Sequence, residues 1–119
     1  MKILVIDDDS DVREIASLSL RSLGHMEVSV AESGPDGLGK AAREQPDVIL
    51  LDVTMPGMDG PETLAALRRD PATASIPVIF LTARPRDARA EGRNVAGVLA
   101  KPFDAVALPE RIRAILEKR

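Results

Sequence analysis

Val48-Ile49-Leu50-Leu51-Asp52 is the stretch that decides how this chain folds. Four apolar residues follow one another with no polar alternate, which suits a strand buried on both faces of a parallel sheet. The run then stops on a carboxylate. The same pattern recurs on either side: Ile3–Ile6 stops at Asp7-Asp8-Asp9, Pro77–Leu81 at Thr82, and Val95–Ala100 at Lys101-Pro102. A fifth run, Val28–Ala31, is weaker because Ser29 interrupts it.

Helix-like segments separate the runs. Ser10–Leu23 carries Val12, Ile15, Ala16, Leu20 and Leu23 at helical spacing, with Gly24 as its stop and Asp9 or Ser10 as its cap. Pro35–Glu44 is a poorer helix, since Gly37 and Gly39 each cost about 1 kcal/mol relative to Ala. Pro61–Arg69 begins with Pro and Glu and ends on two Arg, the order a helix dipole favours. Pro109–Lys118 turns Ile112, Ile115 and Leu116 inward, and a break or single turn is expected before Pro109. Strand followed by helix, repeated through so short a chain, predicts an α/β fold with a parallel sheet and right-handed crossovers.

Composition narrows the chemistry. The chain has 119 residues, 45% of them apolar and 29% charged, which is the balance of one globular domain. It has no cysteine, so disulfides, thiolate zinc sites and a cysteine nucleophile are excluded. Its single histidine, His25, cannot build a multi-histidine metal site. The four apolar residues before Asp7 are too few for a signal peptide, and no apolar stretch approaches the roughly 20 residues of a membrane helix. A cytoplasmic setting is therefore expected. A net charge of −3 argues against a nucleic-acid-binding surface.

Ligands of open parallel sheets bind at the carboxyl ends of the strands. Here four strands deliver Asp7, Asp8, Asp52, Thr82 and Lys101 to that one edge. Taken singly, each has an ordinary explanation as a cap, a loop residue or a surface charge. Together they pose an electrostatic problem, because two carboxylates about 5 Å apart repel by roughly 3 kcal/mol at an effective dielectric of 20. Lys101 offers one compensating charge and a divalent cation would offer the rest. With no His or Cys nearby, the ligands are oxygens, which suits Mg²⁺ or Mn²⁺. An aspartate beside such a cation is a candidate phosphoryl acceptor, with Thr82 and Lys101 placed to hold the remaining phosphoryl oxygens.

The chain resembles the receiver domain of two-component response regulators over nearly its whole length. The resemblance rests on Ile3–Asp9, on Pro46–Gly60 with its Met55-Pro56-Gly57-Met58-Asp59-Gly60 turn, on Pro77–Ala83, and on Lys101-Pro102-Phe103. It implies a flavodoxin-like (βα)5 doubly wound sheet with strand order 2-1-3-4-5. It also implies that Asp52 takes a phosphoryl group from a phosphohistidine on a histidine kinase or histidine phosphotransfer protein. Asp7, Asp8, Asp52 and the backbone carbonyl of Thr54 would bind Mg²⁺. Thr82 and Lys101 would contact the phosphoryl group, and Lys101-Pro102 would match the family's cis peptide. A chain of this kind is a regulator rather than an enzyme, and residues 1–119 read as one receiver domain with no output domain.

Several positions depart from the family pattern. Val98 stands where many receivers carry an aromatic switch residue, three before the lysine. The segment from Thr82 to Lys101 is shorter by about one helical turn of 3.6 residues and contains Pro85, Gly92 and Gly97, so a short or irregular fourth helix is expected. Arg84 and Thr54 occupy positions that tune phosphoryl lifetime in the family. The Arg84, Arg86, Arg89 and Arg93 patch is diluted by Asp87 and Glu91 and reads as a solvated face rather than a docking site. Three rivals remain. An aspartyl phosphatase of the haloacid dehalogenase type would want a second acid where Thr54 stands. A flavin module would want a Ser/Thr/Gly-rich phosphate loop and aromatics, and the chain has no Trp or Tyr. A receiver-like interaction module without phosphorylation-dependent switching is kept open by Val98 and the short fourth helix.

Overall fold

Backbone pairing gathers the five apolar runs into one sheet. The computed structural model describes residues 1–86 and 94–118. Along the chain come β1 (Lys2–Ile6), α1 (Ser10–Ser22), β2 (Glu27–Ala31), α2 (Gly34–Glu44), β3 (Val48–Asp52), α3 (Gly60–Arg69), β4 (Val78–Thr82), β5 (Gly97–Ala100) and α4 (Leu108–Glu117). All neighbouring strands are parallel, and their order is β2-β1-β3-β4-β5. This is the parallel sheet that the sequence pattern predicts, in the doubly wound order that the resemblance implies.

Most boundaries fall within a residue of expectation. The exception is β5, which begins at Gly97 rather than Val95, because its register with β4 starts at the Ile79–Gly97 pair. The expected turn before the last helix is present: Ala107 N–H donates to Asp104 O at 3.1 Å and Val106 N–H to Asp104 Oδ1 at 2.9 Å. Residues 87–93, most of the segment for which a short or irregular fourth helix is expected, lie outside the described residues, and with them Asp87, Arg89, Glu91, Gly92 and Arg93.

The continuous apolar strands are explained by two cores, one on each face. Leu4, Ile6, Ile49, Leu51, Val78 and Phe80 pack against Ala41 of α2 and Leu64 and Leu67 of α3. Their alternates Ile3, Val5, Val48, Leu50, Ile79 and Leu81 pack against Ala16 and Leu20 of α1 and Leu108 and Ile112 of α4. A strand that serves both faces has no solvent side to mark with a polar residue. Val98 is half-buried against the first cluster.

Polar side chains fix where three helices start. Asp9 caps α1, its side chain accepting Asp11 N–H at 2.9 Å. Ser33 caps α2 by accepting Asp36 N–H at 3.2 Å. Asp59 and Glu62 form a reciprocal capping box at the start of α3, with bonds of 2.9 and 3.1 Å.

Gly37 and Gly39, both inside α2, differ in kind. A Cβ on Gly37 would stand 2.4 Å from Ile6 Cδ1 and 2.8 Å from Ile6 Cγ1, and Ile6 is fully buried. A Cβ on Gly39 would meet only the Arg43 guanidinium at 3.2 Å. Gly37 therefore admits helix–sheet approach, while Gly39 is a removable cost. Gly39→Ala should raise stability by about 0.5–1 kcal/mol through helix propensity. Gly37→Ala should lower it by about 1–3 kcal/mol through overpacking. Urea denaturation of the two variants beside wild type checks both signs.

Candidate functional site

Strand register builds the site. Ile6 pairs with Leu51, so Asp7 and Asp52 leave the sheet side by side. Asp52 pairs with Leu81, and Thr82 pairs with Ala100, which sets Lys101 at the same rim. The rim is closed by Lys101 N–H donating to Thr82 O at 2.8 Å and Val53 N–H to Leu81 O at 3.2 Å. Lys101-Pro102 is a cis peptide, as the resemblance implied.

Asp7 is fully buried and Asp52 is 4% exposed, whereas Asp8 lies on the surface. Lys101 Nζ stands between the two buried acids, 2.8 Å from Asp7 Oδ2 and 3.1 Å from Asp52 Oδ1. It donates a hydrogen bond to Asp52 Oδ1. Toward Asp7 Oδ2 it makes an ion pair, and that buried oxygen has no other polar partner among the described residues. Asp7 Oδ1 accepts the Asp9 N–H at 2.9 Å, and Thr54 N–H points at Asp52 Oδ1 at 3.4 Å. Thr82 is buried at the same edge, and its Oγ1 accepts the Arg84 N–H at 3.0 Å.

Charge is held here against its natural cost. The Asp52 pKa is raised from 3.8 to about 6, first by burial and then by the Asp7 charge, with Lys101 opposing. Burial works to lower the Lys101 pKa, but its contact with Asp7 and the charges of Asp7 and Asp52 outweigh that, leaving the ammonium above its ordinary value. One carboxylate oxygen from each of Asp7, Asp8 and Asp52 lies within 4.8 Å of the others. Three acidic oxygens this close, with Lys101 to offset them, fit a hard divalent cation that accepts oxygen ligands.

All five side chains picked out from the sequence therefore converge. Thr54 is exposed beside Asp52. His25 is exposed with a left-handed φ of 55°, in the turn before β2. Sequence reasoning missed two supports of the loop from Asp52 to α3. One is Asp59 as a cap, although Asp three before Glu ahead of an apolar run is a legible capping-box signal. The other is Gly60, whose N–H donates to Val53 O at 2.8 Å. A Cβ there would stand 2.6 Å from both Asp52 O and Val53 Cα, so only glycine lets α3 start this close to the end of β3. It also missed Arg13, whose Nη1 donates to the Asp7 carbonyl at 2.8 Å.

Comparison with known proteins agrees with this geometry. Residues 3–113 match the family model of the response regulator receiver domain. The chain is 44% identical over 119 residues to the response regulator PleD of Caulobacter vibrioides, covering 96% of this chain and 26% of that protein. It is 38% identical to the DNA-binding dual master transcriptional regulator RpaA of Synechocystis, covering 98% of this chain and 49% of that protein. It thus spans about a quarter and about half of these relatives. Among solved structures, the chemotaxis protein CheY4 of Vibrio cholerae superposes with a TM-score of 0.84 at 31% identity, covering 96% of this chain and 97% of that one. The N-terminal domain of a response regulator receiver protein from Methanoculleus marisnigri gives 0.79 at 36% identity, covering 99% and 98%. With the fold, the acidic rim and the family match in agreement, this chain belongs to the response regulator receiver domain family.

Proposed function

We propose that this domain is a phosphorylation-controlled signalling switch that accepts a phosphoryl group on Asp52. The donor is a phosphohistidine of a partner histidine kinase or histidine phosphotransfer protein, and the altered state is relayed to a further partner or domain. One observation carries this reading: the Asp52 carboxylate is buried at the sheet rim and shares the Lys101 ammonium with a second buried acid, Asp7. The donor comes from outside the domain, because His25 lies ahead of β2, at the edge of the sheet opposite Asp52.

In the transfer, a carboxylate oxygen of Asp52 forms a bond to phosphorus while the phosphorus–nitrogen bond of the donor breaks. The electron pair returns to the imidazole, which leaves neutral with the proton on its other ring nitrogen. Lys101 Nζ, already 3.1 Å from Asp52 Oδ1, would pair with a phosphoryl oxygen. Thr82 uses its Oγ1 as an acceptor for Arg84 N–H, which leaves the hydroxyl proton to donate to another. Asp7, Asp8 and Asp52, with the Thr54 backbone carbonyl, would hold Mg²⁺, and Mn²⁺ shares the same donor chemistry. Bound there, the cation would supply neutralisation of charge on the phosphoryl oxygens. The domain acts as a regulator that assists its own phosphorylation and dephosphorylation, rather than as an enzyme with a separate substrate. Its setting is cytoplasmic, and it contacts neither membrane nor nucleic acid directly; no helix among the described residues is long and apolar enough to cross a membrane.

Incubation with Mg²⁺ and acetyl phosphate should add one phosphoryl mass to the intact chain. Asp52→Asn should add none, and equal gain by both would overturn the assignment. Millimolar Mg²⁺ should raise the melting temperature of wild type by ligand linkage, with the shift abolished in Asp8→Ala.

The electrostatics predict a pH signature in metal-free buffer. Because the folded pKa of Asp52 lies above its ordinary value, the folded state binds the proton more tightly. Stability from this group is therefore present at low pH and is lost as pH rises from 3.8 through about 6. The rise corresponds to about 3 kcal/mol of cost at neutral pH. Asp52→Asn should accordingly be more stable than wild type at pH 7.5 in EDTA, by up to about 3 kcal/mol, with the gap closing toward pH 4. Paired urea denaturation across that range measures it.

A further inference from the structure

We propose that Arg13 is a positioning residue for the acidic trio, fixing the Asp7–Asp8 peptide and through it the direction of Asp8. This rests on reading Asp7, Asp8 and Asp52 as a divalent-cation site. Asp7 is the residue that follows the last paired position of β1. Its N–H is held by Ala31 O at 3.1 Å and its Oδ1 by the Asp9 N–H at 2.9 Å. Its carbonyl lies past the ladder with β3, where no strand is left to donate to it. Arg13 Nη1 supplies that donor at 2.8 Å.

The geometry makes this bond consequential. The Asp7 carbonyl and the Asp8 N–H belong to one planar peptide, so holding the oxygen fixes the plane from which the Asp8 side chain departs. Asp7 and Asp52 are buried and locked by Lys101, but Asp8 is exposed and has no ion pair among the described residues. Asp8 nonetheless keeps a carboxylate oxygen within 4.8 Å of the other two. The Asp7–Asp8 peptide sets the direction from which that side chain departs. Arg13 is itself rooted in the first turn of α1, where its N–H donates to Asp9 O at 3.1 Å, so the guanidinium reaches back from a capped helix to the strand end. The bond thus ties α1 to β1 across the three aspartates.

The consequence is measurable as cation affinity without any phosphotransfer. The dissociation constant for Mg²⁺ is read by thermal-shift titration for wild type, Arg13→Ala, Arg13→Lys and Asp8→Ala, each with its melting temperature in EDTA. Arg13→Ala should weaken Mg²⁺ binding by about 10-fold, the usual effect of removing a group that orients a metal ligand. Arg13→Lys, which keeps a long cationic donor for a single carbonyl, should recover to within about 3-fold of wild type. A purely structural bond would lower the melting temperature in EDTA while leaving the Mg²⁺ constant unchanged, and that result overturns the proposal. So does Arg13→Lys binding as weakly as Arg13→Ala. If wild type binds Mg²⁺ and only Asp8→Ala loses it, the cation site stands and the role of Arg13 fails; if wild type shows no response, both fall.

Discussion

Two carboxylates can be kept out of water at one sheet edge only if a positive charge stands between them, and here that charge is Lys101. At an effective dielectric of 20, acids about 5 Å apart repel by roughly 3 kcal/mol, and each is drawn to an ammonium at about 3 Å by somewhat more. The pair Asp7 and Asp52 is tolerable because Lys101 reaches both, at 2.8 and 3.1 Å. Much of the fold is arranged to let it do so. The lysine comes from the far strand β5, and its backbone is pinned by the bond to Thr82 O, so β4 carries both Thr82 and the register that delivers the lysine.

The compensation is partial, and the shortfall is what makes the site chemical rather than structural. A carboxyl whose pKa is pushed up to about 6 is a carboxylate that gains from any further positive charge or from losing its own. Under the proposed function, cation binding would supply the first and formation of an acyl phosphate would bring about the second. Asp7 Oδ2, buried with Lys101 as its one polar partner among the described residues, points the same way. A site optimised for stability alone would satisfy that oxygen fully or replace the acid. Local instability of this sort is the expected signature of a functional edge.

How much of this could be read from the sequence follows from where each signal is carried. The strands were legible because burial on both faces leaves unbroken apolar runs, and the site residues because each run ends abruptly in a polar group. Parallel topology then brings those ends together. Val95 and Ala96 read as strand by composition but precede the first β4–β5 pair, a fact of register that no side chain announces. Gly37 reads as a poor helix residue, and only the packed sheet shows that Ile6 fills the space a Cβ would need. The resemblance marked the turn containing Gly60 as diagnostic without giving its reason, which is the closeness of Asp52 O and Val53 Cα.

Arg13 shows most clearly why part of a site stays hidden. Its partner is a backbone carbonyl, which every residue possesses, so neither spacing nor composition distinguishes this arginine from a solvated one on an amphipathic helix. The same holds for Arg84, whose N–H rather than its guanidinium meets Thr82 Oγ1. Side chains that do the chemistry are visible by type and place. Groups that aim them through main-chain bonds emerge only when strand register and helix entry are known together. In this domain that hidden layer lies between α1 and β1: the carbonyl beyond the last strand pair needs a donor, and the first turn of the next helix provides it.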